Sequence, residues 1–118
     1  MIRVTFCEQN GSLTGFDLRG HSGFAEAGRD IVCAAATSCA LMTANTVTEV
    51  LGLPAKAEAT DGLISLHLKP QDAEQAQPLM QGFLLHIRAL CNEYPQNINC
   101  QIQKSTITIR RCNNNAEN

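Results

Sequence analysis

One run constrains this 118-residue chain more than any other: residues 31–51 are apolar on almost every side. Ile31, Val32, Ala34, Ala35, Ala36, Leu41, Met42, Val47, Val50 and Leu51 fall on no single stripe. Asp30 stands before the run as an N-cap, Gly52 follows it, and Pro54 blocks its continuation, so the punctuation predicts a helix over 31–51. A helix that is apolar all round has to be largely buried. The small residues Ala34, Ala35 and Ala36 would let another backbone approach closely. A chain of this length forms one core, so the cover must come from the flanking segments.

Those segments predict a sheet and a second helix. Ile2, Val4 and Phe6 alternate with Arg3 and Thr5, and Asn10-Gly11-Ser12 supplies turn chemistry, which predicts a hairpin of strands 2–7 and 13–19. Asp61-Gly62 joins a second hairpin, 56–60 with 63–68. Ala76, Leu79, Met80, Phe83, Ile87, Leu90, Cys91 and Tyr94 recur at spacings of three and four, which predicts a helix over 72–94 closed by Pro95. Pro78 falls inside it, either in a first turn or at a kink. Two short strands, 98–103 and 106–110, follow. The order is ββ-α-ββ-α-ββ, an α+β fold with two helices on a mainly antiparallel sheet. A single domain is expected over 1–112, with the Asn-rich tail 113–118 disordered.

Composition removes several function classes. The formal net charge is −2, and the only basic pair is Arg110-Arg111, which disfavours direct nucleic-acid binding. The N-terminus lacks the basic and apolar regions of a signal peptide, and no run is expected to reach membrane length, so a cytoplasmic protein is expected. In that compartment Cys7, Cys33, Cys39, Cys91, Cys100 and Cys112 read mostly as small buried hydrophobes rather than disulfide partners. No Cys-x-x-Cys pair occurs, so no metal site and no cofactor are expected.

Cys33 is the residue that carries chemistry. With Asp30 as N-cap it is the third helical position, among unpaired N–H groups at the positive end of the helix dipole. That setting favours a thiolate, and the same N–H groups are candidates for holding an oxyanion. His21 lies just upstream in a loop, 20–29, that holds Gly20, Gly23 and Gly28 and can fold back toward the sulfur. Cysteine and histidine together suffice for nucleophilic attack on an amide. On spacing alone, a helical cysteine is more often packing than nucleophile. His67 and His86 read as structural, and Cys39 projects from another face.

Gly20-His21, together with Gly28-Arg29-Asp30-Ile31-Val32-Cys33-Ala34, resembles the signature of the ribosomal-processing cysteine proteases, the Prp family. The resemblance extends loosely over nearly the whole chain, apart from the tail. It implies a small homodimeric bacterial enzyme with His21 as base, Cys33 as nucleophile and Asp30 in support. Its partner would be the short N-terminal extension of a large-subunit ribosomal protein, cut after a bulky hydrophobic residue. The family often carries Ser four residues after the nucleophile; here Thr37 keeps the hydroxyl on the same helix face, with Ser38 beside it. The glycines at 20, 23 and 28 would hinge the loop over substrate. Two other readings stand beside this one: a non-enzymatic ribosome-assembly factor, and a thiol redox or acyl-transfer protein.

Overall fold

The computed structural model describes residues 1–20 and 30–105. Alternation at the N-terminus produces β1 (Ile2–Gln9) and β2 (Ser12–Arg19), antiparallel across Asn10-Gly11. Both turn residues have positive φ, 53° and 88°, the left-handed pair that a two-residue hairpin of matching twist requires. The second hairpin, β3 (Lys56–Thr60) and β4 (Leu63–His67), turns at Asp61-Gly62 as its dipeptide implies. β5 (Ile98–Ser105) completes a sheet of order β3-β4-β2-β1-β5. Three pairings are antiparallel, while β5 runs parallel to β1. The α+β class holds, with a mixed sheet. The expected strand 106–110, Arg110-Arg111, Cys112 and the tail lie outside the described residues.

The helical layer differs from its expected outline in two places. α1 (Ile31–Asn45) runs on through a wider π-helical turn, Thr46–Val50, so the helical run ends near residue 51 as expected. The second helix is broken. A single turn, α2 (Pro70–Ala73), passes through a 3₁₀ turn, Glu74–Ala76, into α3 (Gln77–Glu93). Pro78 therefore sits in the first turn of α3, where its missing N–H costs nothing, and makes no kink. The Gln77 side chain holds the junction: its amide donates to the Leu13 and Ala73 carbonyls at 2.7 and 2.9 Å, and its oxygen accepts from the Leu13 N–H at 2.9 Å.

Both helices cover one face of the sheet. Val4, Phe6, Phe16, Leu18, Ile64 and Leu66 meet Val32, Ala36 and Ala40 of α1 and Met80, Phe83 and Ile87 of α3. With few aromatics available, three of them do concentrated work: Phe83 packs edge-on to Phe16 at 4.7 Å and against Phe6 at 5.4 Å.

The expectation that the 31–51 helix is largely buried is corrected. Only about 33% of its most apolar window is buried, and Ile31, Met42 and Val50 are 57%, 52% and 77% exposed. The physical reason is that sheet and α3 reach one side only, and that side is lined by small residues. The stretch Ile31–Val50 is also long and apolar enough to cross a membrane by length and composition, contrary to expectation. Here it is the helix whose Ala36, Ala40 and Val47 are fully buried in the core.

Candidate active site

Asp30 closes α1 as its place in the sequence implies. Its backbone is extended, and its Oδ1 accepts a hydrogen bond from the Cys33 N–H at 2.9 Å. The next amide, of Ala34, donates to the Asp30 carbonyl at 3.1 Å. This locks Cys33 into the third helical position, half-buried. One turn on, Thr37 Oγ1 lies 3.8 Å from the sulfur, so thiol and hydroxyl can share a hydrogen bond with either one donating. With Cys33's own amide committed to Asp30, the Ile31 and Val32 N–H groups are the remaining first-turn donors ahead of it.

Cys33 and Thr37 form one wall of a cavity of about 200 Å³. Leu18 and Gly20, at the end of β2, form a second wall. The β3–β4 turn, Thr60 to Ile64, forms the third. A backbone bond fixes the two sheet walls to each other: the Gly20 N–H donates to the Gly62 carbonyl at 3.0 Å. Gly20 has φ +89°, and a methyl group there would come within 2.6 Å of the Met1 carbonyl oxygen. No side chain fits that position, on conformation and on space alike.

Gly20 is the residue before His21, so the segment carrying the expected base leaves from the rim of the cavity that holds Cys33. His21, Gly23, Gly28 and Arg29 lie outside the described residues. Of the expected site residues, the structure brings together Gly20, Asp30, Cys33 and Thr37. The sequence marks Asp61-Gly62 only as a turn, and Leu18 and Ile64 only as strand residues. Nothing local in the sequence signals that they face Cys33, because strand order puts them there.

The remaining ionisable groups stand apart. His67 is buried, its Nε2 3.1 Å from Asp17 Oδ1 and its Nδ1 without a partner among the described residues. Both side chains alternate with Phe16, Leu18, Ile64 and Leu66, and so lie on the sheet face away from the helices. His86 is exposed on α3. Burial pushes the Cys39 thiol up, partly offset by the Thr43 hydroxyl. Burial first, then the adjoining Cys100 thiol, push Cys91 up to about 12. Cys33, Cys39, Cys91 and Cys100 are free thiols. Cys7 departs from the free-thiol expectation: it is disulfide-bonded.

The family model for cysteine protease Prp matches residues 1–99, a span that includes the whole cavity. The chain belongs to the Prp family of cysteine proteases. It is 28% identical to the ribosomal processing cysteine protease Prp of Bacillus subtilis over 105 residues, 83% of this chain and 94% of that protein. The fold matches an essential ribosomal processing protease Prp from S. aureus, solved with a covalently linked product peptide. The TM-score there is 0.80 at 24% identity, covering 87% of this chain and all of the other. A Streptococcus mutans protein, SMU.848, is similar at a TM-score of 0.73 and 29% identity, over 89% of this chain and 96% of its own. As a Prp-family member the chain is an enzyme, a cysteine protease.

Proposed function

We propose that this enzyme removes the short N-terminal extension of a bacterial large-subunit ribosomal protein, cutting after a bulky hydrophobic residue with a Cys33–His21 dyad. The observation that carries the reading is the placement of Cys33: third in α1, amide-locked by Asp30, in the wall of the cavity that the β2 end and the β3–β4 turn also line. The name of the Bacillus subtilis relative and the peptide-bound S. aureus protease support the substrate class. Leu18 and Ile64 give the cavity apolar walls suited to a large side chain before the cut.

In this mechanism His21 takes the thiol proton while the sulfur attacks the scissile carbonyl. The Ile31 and Val32 N–H groups hold the oxyanion, and the imidazolium then protonates the departing amine. Water activated by His21 hydrolyses the thioester and restores the thiol. The Thr37 hydroxyl keeps the sulfur turned toward the cavity. The enzyme acts as a homodimer in the cytoplasm, and the exposed apolar residues of α1 and the turn after it, Met42, Val50 and Leu51, offer a second copy a surface to cover.

The test is cleavage of a peptide spanning the extended N-terminus of the ribosomal protein, with wild type beside Cys33→Ser and His21→Ala. One cut by wild type, and loss of at least about 10³-fold in either variant, is expected. Retained cutting by Cys33→Ser overturns the dyad; no cut by wild type overturns the substrate.

A further inference from the structure

One residue that lines the cavity beside Cys33 carries a charge that the proposed chemistry does not use. Among the described residues that line it, every wall is apolar, hydroxyl or glycine except for Cys33 itself and Asp61. Asp61 is exposed at the tip of the β3–β4 turn. Among the described residues, no cation or hydrogen-bond donor engages its carboxylate. Its backbone is held in place, because the neighbouring Gly62 carbonyl is tied to Gly20. The other acid near the nucleophile, Asp30, does not line the cavity and directs its Oδ1 at the Cys33 amide.

For the bond-breaking steps alone, a free carboxylate here is unfavourable. Attack on the carbonyl develops negative charge on oxygen, and a negative charge on the opposite wall opposes it. The cost is offset if the substrate itself brings a positive charge into the cavity. An exposed cation–carboxylate pair gives little stability, but it discriminates, because the same site repels an anionic side chain.

We propose that Asp61 is a specificity-determining residue, which selects substrates carrying a lysine or arginine side chain close to the scissile bond and rejects those carrying an acid there. The inference rests on the protease reading above. Within that reading it says that apolar bulk is half of the recognition and a nearby positive charge is the other half.

Two measurements on the full chain test it. In the first, peptides that differ only in Lys, Gln or Glu at each position within three residues of the cut are compared by kcat/KM. Wild type is expected to prefer Lys to Glu at one or more positions, on the order of fivefold at low salt. That ratio should collapse toward one in Asp61→Asn, invert in Asp61→Lys, and shrink in wild type as salt is raised. In the second, Cys33 is modified by methanethiosulfonate reagents of equal size and opposite charge, and the Cys33-bearing peptide is followed by mass. The sulfur displaces methanesulfinate from either reagent and becomes a mixed disulfide, so no peptide need be cut. Wild type should react with the cationic reagent faster relative to the anionic one than Asp61→Asn does. Cleavage of the Lys, Gln and Glu peptides at one rate overturns the inference and leaves the protease intact. An unchanged reagent ratio in Asp61→Asn overturns it as well. If no peptide is cut, the proposed substrate fails and takes the inference with it.

Discussion

Asp30 links the sequence to the site through one oxygen atom. Its Oδ1 at 2.9 Å from the Cys33 amide satisfies one of the four orphan donors at the start of α1 and sets the height of the thiol in the first turn. Asp30→Ala should therefore cost about 1 kcal/mol, while Asp30→Asn should cost much less because asparagine caps equally well. Thermal melts of the two variants check this; a drop of roughly 4–8 °C confined to the alanine is expected for a domain near this size. Thiolate is the form that alkylates, so a raised pKa leaves less of it at any pH. Cys91, pushed up to about 12, and Cys39, pushed up by burial, should react with iodoacetamide at pH 8 far more slowly than free glutathione. Cys100→Ala should speed Cys91 in part, since burial, the larger cause, stays. Residue-resolved mass spectrometry reads both, and a fast Cys91 would contradict the packing at the end of α3.

At the scale of elements, α1 does two jobs on two faces. Ala36 and Ala40 are fully buried and let the helix sit close on the sheet, which keeps Cys33 and Thr37 at the level of the β2 end. Away from that face, Met42 of α1 and Val50 of the π-helical turn are more than half exposed. An apolar surface of this kind normally marks an interface. Met42→Asp with Val50→Asp should leave the melting temperature of the monomer within a few degrees and shift the mass in solution from dimer to monomer. Light scattering after size exclusion measures it, and a wild type that is already monomeric at micromolar concentration would remove the dimer. α3 was legible in its stripe and not in its start. The periodicity of Met80, Phe83 and Ile87 is local, whereas the 3₁₀ break before Gln77 is held by bonds to Leu13 on the far hairpin.

The whole molecule depends on a small aromatic centre. The Phe83 ring of α3 packs against both Phe6 and Phe16, so it couples the helical layer to the two central strands. Phe83→Ala should cost about 3–5 kcal/mol by urea unfolding, enough to threaten folding of a domain this small. A cost near that of an exposed residue would mean that the layers are held elsewhere. Elements whose causes lie within a few residues could be read from the order of amino acids. These are the two hairpins at Asn10-Gly11 and Asp61-Gly62, the cap at Asp30, the third-position cysteine, the α3 stripe, and the run of residues that marks the family. Tertiary structure alone decided which strand lies beside which. The β1–β5 pair is parallel because α3 crosses between distant segments, and β4 lies beside β2, which carries Asp61 to Cys33. Strand neighbours are chosen by the shape of a shared core, and periodicity records only which face of a strand is buried. The same reason hid the exposure of α1. An apolar surface says that a helix prefers cover, while the reach of the sheet decides how much cover one chain can give.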